Sequence, residues 1–253
     1  MNKKHRLLFI LIFNFYFCMI STEYLRASIE TRTEHPHRIY EGFNLSGLTL
    51  DILLSPCHYK GSQFAGGLNL GYEYRKPHRL YFGIHMHSLR ANSGFKFLYE
   101  DEELEDENRD PFVAQLGLEI GYNAVYRNWL LTPYAALGKT SIHFPHHPHY
   151  GFQERFNYLG FGIKGEYGKS ENCDLGFDFQ LFKAVSGHKG FIDYYFYIAR
   201  KFDSFGIYAG LPINVRFGES KKWDMQVEPY ILSLSLNEKQ LTYGTRFILG
   251  RNI

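Results

Sequence analysis

The stretch "QFAGGLNLGYEYR", Gln63–Arg75, decides how this chain is read. In an extended strand Phe64, Leu68, Leu70, Tyr72 and Tyr74 share one face with Gly66. Gln63, Ala65, Gly67, Asn69, Gly71 and Glu73 share the other. Alternation with period two marks a strand whose faces meet different surroundings. The same pattern returns in "PFVAQLGLEIGYNAVY" (Pro111–Tyr126), "DLGFDFQLF" (Asp174–Phe182) and "FGIYAGLPINVRF" (Phe205–Phe217). No segment shows a helical period, except for a short turn that the acidic stretch near residue 104 would allow.

The pattern yields eleven strand candidates, near residues 39–54, 63–75, 79–90, 111–126, 129–142, 156–168, 173–185, 190–201, 205–217, 225–236 and 240–250. Most span 11 to 16 residues, about twice the ordinary globular strand. A tilted strand that crosses a bilayer needs about 9–11 residues plus its rims. A soluble calycin-like barrel or sandwich would bury the apolar faces; a membrane barrel would turn them to lipid and keep Gly, Asn, Glu and Lys inside. Strand length favours the membrane version. So do aromatics at strand ends, Tyr72, Tyr74, Tyr122, Tyr126, Trp129, Tyr167, Tyr194, Phe202 and Phe205, which would form interfacial girdles. Closure of uniformly amphipathic strands also leaves no unpaired edge in lipid. The expected fold is an all-β, closed, antiparallel, up-and-down transmembrane β-barrel. Such barrels have even strand numbers, so "SGFKFLYE", Ser93–Glu100, is expected as a missed strand. Twelve is preferred within a range of ten to twelve.

Residues 1–27 read as an export signal. "NKKHR" is a positive start, and Leu7–Ile20 is an apolar run too short for a membrane helix. Leu25 and Ala27 are the best cleavage pair. Residues 28–253 then form one domain. The chain carries a formal net charge of +2; Lys3, Lys4, Arg6 and Arg26 against Glu23 give the leader +3, so the remainder is about −1, which argues against a nucleic-acid partner. Removing the leader removes Cys18 and leaves Cys57 and Cys173, too few for a disulfide scaffold.

"TYGTRFIL", Thr242–Leu249, resembles the assembly signal on the last strand of bacterial outer-membrane β-barrels. Thr242, Gly244, Phe247 and Leu249 fill its polar, glycine and two apolar places, although the chain continues through "GRNI". The resemblance implies a Gram-negative outer membrane, outer-membrane lipid around the barrel and insertion by the barrel assembly machinery. It names no substrate.

Strand parity places Asp51, Glu73, His85, His87, Glu119, Lys164, Glu166, Asp178, Asp193, Arg216 and Arg246 in the lumen. "HFPHHPHYGF", His143–Phe152, reads as a rim loop of about thirteen residues in which Pro145 and Pro148 block ladder pairing. Its histidines have no spacing that would hold a metal. The acidic run from Glu100 to Asp110 lacks the alternating ligands of a calcium loop. Ser88 and His87 fall on opposite faces and cannot act as nucleophile and base. No catalytic residue, metal site or cofactor is expected. The lumen suggests a narrow porin-like channel for ions or small polar solutes. The alternative is a non-conducting structural or adhesive barrel, and an enzyme acting on lipids or peptides ranks third.

Overall fold

A computed structural model describes residues 32–54, 57–91, 96–99, 102–104, 111–145, 151–170, 172–192, 197–201, 204–218, 221–235 and 240–253. Its strands are β1 (His37–Leu54), β2 (Cys57–Tyr74), β3 (Leu80–Ala91), β4 (Lys96–Tyr99), β5 (Glu102–Leu104), β6 (Phe112–Tyr122), β7 (Ala124–Tyr126), β8 (Trp129–Pro145), β9 (Gly151–Ser170), β10 (Cys173–Ile192), β11 (Tyr197–Lys201), β12 (Phe205–Gly210), β13 (Ile213–Phe217), β14 (Trp223–Ser235) and β15 (Gln240–Asn252). All belong to one antiparallel sheet that closes where β1 pairs with β15, from Arg38↔Asn252 to Thr49↔Leu241. The expected signal, residues 1–27, lies outside the described residues.

The wall of the barrel has ten strands, and two further short ones, β4 and β5, form a hairpin beyond its rim. The segment expected as an extra strand contains β4. It continues the line of β3 along β2, with Lys60↔Lys96 following Ala65↔Ala91, so it lengthens the wall without widening it. The eleven candidates reduce to an even number because 190–201 is not one strand. Its first residues end β10, and β11 returns along them, with Ile192↔Tyr197. Two wall strands are interrupted. Asn123 separates β6 from β7 and fixes the neighbouring turn, donating to the Lys76 carbonyl at 3.1 Å and accepting from Thr132 Oγ1 at 2.7 Å. Leu211 and Pro212 separate β12 from β13.

Two further expectations change. Pro145 does not block pairing: it stands opposite Gly151, because antiparallel ladders contain positions that need no N–H. The intervening residues 146–150 lie outside the described ones. Glu102–Leu104 is a strand, not a helical turn.

The barrel's polarity is inside-out. Leu80 and Phe161, each 68% exposed, face outward, whereas Arg38, Glu119 and Asp224 are 3–4% exposed and face in. Charge within and hydrocarbon without is the arrangement of a membrane barrel. No described helix is long and apolar enough to cross a membrane; the strands do so. The ends also differ. One end carries both barrel termini and the turns after β2, β7, β9 and β13, in which His78, Arg127 and Lys221 adopt positive φ. The other carries the longer hairpins. Aromatics ring the turn end: Trp129 lies 5.2 Å from Tyr167 and 5.7 Å from Phe177, and Tyr72 lies 6.3 Å from Phe82. Phe205 opens β12 toward the hairpin end, and Tyr194 and Phe202 lie outside the described residues.

Cys57 begins β2 at the hairpin end, opposite Leu54, and Cys173 begins β10 at the turn end, opposite Ser170. A strand of 18 residues rising about 3.3 Å per residue separates these ends far beyond the roughly 7 Å that a disulfide spans. A membrane-impermeant maleimide applied to intact cells should label Cys57 and reach Cys173 only after permeabilisation. Labelling of Cys173 in intact cells would invert this orientation.

Candidate functional site: the filled lumen

Inward parity along each strand delivers polar side chains to the bore, where they gather in layers. At the turn end four arginines meet four carboxylates. The Arg38 Nε donates to both Asp224 oxygens at 3.1 Å, and its Nη1 reaches Glu73 Oε2 at 3.3 Å. Arg75, just past β2, lies 3.5 Å from Glu166 and 3.7 Å from Glu73. Arg216 pairs with Asp174. Arg32, on a single helical turn before β1, enters the mouth and contacts both Glu166 and Asp174.

The next layer holds two similar units. In the first, Lys164 Nζ contacts Glu119 at 2.5 Å and the Tyr81 hydroxyl at 2.7 Å, and stands 5.0 and 5.1 Å from the rings of Tyr81 and Tyr134. Tyr81 donates to Glu119 Oε2 at 2.7 Å, with Glu73 next at 3.1 Å. Tyr134 donates to Asp178 at 2.7 Å. In the second unit Arg246 lies over Tyr208 and Tyr230, 5.0 and 4.3 Å from the ring centroids, and 3.6 Å from Glu228. Tyr208 donates to Glu228. Each cation therefore has aromatic faces beneath it and carboxylates beside it, which offsets much of its desolvation. The free space between these side chains is about 110 Å³, room for a few water-sized molecules.

Toward the hairpin end the bore turns apolar. Leu48, Leu89, Val113, Ile142, Phe156, Tyr158, Phe182 and Leu232 are all buried in one cluster. Tyr158 and Phe182 lie 5.3 Å apart. Every wall strand except β15 contributes to this cluster, so it crosses the bore.

Of the residues expected in the lumen, Glu73, His85, His87, Glu119, Lys164, Glu166, Asp178 and Arg246 line this cavity, and Arg216 is buried at the mouth. Asp51 falls in β1, but its side chain is outside the described set, and so is all of Asp193. Ser88 and His87 point to opposite faces, His87 buried and Ser88 beside the Leu68 backbone. In the final strand Thr242 is buried, and Gly244 would bring a Cβ within 2.3 Å of the Leu45 carbonyl. Phe247 stacks on Phe43 at 4.9 Å and Leu249 is exposed. Sequence reasoning missed Arg32, Arg38, Asp174, Asp224 and Glu228. The last two share even parity with Gln226, which could have found them. Arg32 precedes the strands, where parity has nothing to say.

No protein-family model matches the sequence, and no curated protein matches it. Solved structures do. The translocator domain of the autotransporter NalP from Neisseria meningitidis is 13% identical, over 89% of this chain and 92% of that one, with a TM-score of 0.43. The outer membrane protease OmpT from Escherichia coli is 12% identical over 86% and 97%, TM-score 0.47. The COG4313 outer membrane channel from Pseudomonas putida F1 is 10% identical over 87% and 96%, TM-score 0.42. These are bacterial outer-membrane β-barrels. They span a translocator, a protease and a channel.

Removing one partner of a buried ion pair strands the other. Lys164→Met should therefore destabilise the barrel by about 3–5 kcal/mol, and adding Glu119→Gln should restore part of that loss. The temperature at which the folded band disappears in unheated-versus-heated gel electrophoresis reads both. Losses from Lys164→Met and Glu119→Gln alone that simply add in the double variant would mean that the pair is not coupled.

Proposed function

We propose that this protein is a sealed barrel of the bacterial outer membrane, which presents its hairpin end to the exterior and conducts no solute. The observation that carries this reading is the apolar cluster across the bore. A continuous aqueous path is what a passive pore needs, and in wide porins the lumen supplies it. Here Phe156, Phe182 and Leu232 fill the position where that path would run. Between the two readings drawn from the sequence, this favours the non-conducting structural or adhesive barrel over the porin-like channel.

The charged layers then act as internal struts. Buried carboxylates and guanidinium groups that satisfy one another hold the wall strands in register. In this reading the charged layers are structural, and the inward histidines belong to them: His85 meets Glu119 at 3.8 Å and His87 meets Asn44 at 3.3 Å. The outer-membrane location draws on the inside-out polarity, the assembly-like final strand and the export-like residues 1–27, and it carries insertion by the barrel assembly machinery of a Gram-negative cell. Function then falls to the hairpins that rise beyond the apolar band, where a surface partner would bind.

Purified protein in planar bilayers should give no open-channel steps. Phe156→Ala combined with Phe182→Ala should give them, because the apolar layer loses both of its phenylalanine rings. Steps from the unaltered protein would overturn the sealed reading and return the channel to first place.

A further inference from the structure

We propose that the outward face of β8, β9 and β10 near the hairpin end binds the phosphate-bearing headgroup of a membrane lipid, with Lys139 and Arg155 at its centre. The inference rests on the wall being membrane-embedded and not on the bore being sealed.

Reading the outward residues of β3, β8 and β9 toward the hairpin end shows a change of character, and β10 shares it at Lys183 before the exposed Val185. On β8, Ala135 and Leu137 are followed by Lys139, Ser141 and His143. On β9, Phe161 and Leu159 are followed by Asn157, Arg155 and Gln153. On β10, Phe179 and Leu181 are followed by Lys183, and on β3, Ile84 and Met86 are followed by Ser88 and Arg90. The change does not follow one rung of the ladder. Ser88 pairs with Ala114 and that residue with Ser141, one rung above Lys139↔Asn157. Leu159↔Lys183 lies one rung lower again. The boundary therefore steps down across the strands, as a level membrane surface must when strands tilt by some 35–45°. These cations sit where hydrocarbon gives way to headgroups.

Their arrangement suits a phosphate. Lys139 faces Asn157 and Arg155 faces Ser141, so the two cations are diagonal neighbours on one face, roughly 7–8 Å apart at the backbone. A phosphate placed between them can accept from both, and a guanidinium offers it a planar, bidentate fork. The surroundings are neutral and polar. Asn157 donates to Ser186 at 2.9 Å. With the Gln153 amide turned so that its oxygen faces Arg155, the Arg155 Nε and Nη2 donate to it at 3.0 and 2.7 Å, which fixes the guanidinium on the wall. Lys183 lies 5.1 Å from the Phe205 ring, its stem along apolar surface and its charge at the edge. Among the described residues no carboxylate faces outward beyond the boundary on these strands; Glu154, beside Arg155, points into the bore. Turn-end cations differ: Arg127 and Arg251 lie over Tyr126 and Trp223.

The test uses full-length folded protein in vesicles of phosphatidylcholine doped with a diphosphorylated glycolipid, or with the same glycolipid after dephosphorylation. Retained lipid is counted by native mass spectrometry, and folding is checked by the gel shift. The protein should retain the diphosphorylated lipid about tenfold more than the dephosphorylated one. Lys139→Gln with Arg155→Gln should abolish that preference, Lys139→Arg should keep it, and Lys76→Gln with Lys222→Gln at the turn end should leave it unchanged. Equal retention of both lipids, or an unaltered preference in the Lys139→Gln, Arg155→Gln variant, would overturn the proposal and point to the acidic connection 100–110 as the cations' partner. Full displacement of the lipid by inorganic pyrophosphate would also overturn it, leaving an anion site with no need of a lipid. Channel steps in the bilayer experiment would refute the sealed bore and leave this result untouched.

Discussion

In hydrocarbon every backbone N–H and C=O must find its partner inside the protein, and the pairing of β1 with β15 is where this chain meets that demand. Without it, the two strands at the ends of the sequence would each present a full unpaired edge to lipid. The seam extends past the strands themselves, as His37 and Ile253 exchange backbone hydrogen bonds at 2.8 and 3.3 Å. Closure also fixes parity. Once the sheet is a cylinder, each residue has only two destinations, lipid or bore, and a shift of one residue would exchange them all. Arg38 thus has nowhere to go but inward, where Asp224 and Glu73 receive it.

A ten-stranded bore leaves little room, and the chain fills it by laying large side chains flat against neighbouring strands. Glycines make this possible. A Cβ at Gly117 would stand 2.2 Å from the His85 ring, and one at Gly162 would stand 2.4 Å from the Tyr134 ring. Each ring occupies the place where its neighbour's side chain would have been. The Tyr134 ring, held down in this way, forms one wall for Lys164. The recurrent inward glycines of the sequence are therefore part of the ion-pair geometry and not signs of a loose wall.

That geometry also explains which parts of the fold were legible in the sequence. Parity along a strand is local, so the faces of Phe64–Glu73 and of Leu116–Tyr122 could be read directly. Partnership across the bore is not local: Lys164 meets Glu119 and Tyr81 because of barrel closure and stagger, which no single strand encodes. The apolar plug was hidden for a different reason. Near the hairpin end the sense of the alternation reverses on β8, where buried Ile142 lies between the outward Ser141 and His143, so the inward-polar rule that serves the rest of the strand misreads the place where the plug begins. The odd tally of eleven candidates arose at 190–201, where period-two patterning runs through a hairpin as smoothly as through a strand. Arg32 lies before the first strand, in a region that patterning does not reach.

The two halves of the lumen answer one electrostatic problem. An ion pair in a low-dielectric interior is stable only when both members are held in good geometry and their remaining valences are met. The turn end approaches that requirement because many strands deliver charges there, and Arg32 adds one more from outside the wall, although among the described residues Arg32 Nε and Asp174 Oδ1 are left without a hydrogen bond. Among the described residues near the hairpin end, Gln240 donates to the buried Glu154 at 2.9 Å, and leucine, phenylalanine and alanine make up most of the remaining buried layer. Packing apolar groups there excludes water without asking for partners, whereas a charged layer at the same height would need a full complement of counter-ions. On the sealed reading proposed above, the plug and the ion-paired vestibule are complementary: one closes the bore, and the other holds the staves that the closure presses against.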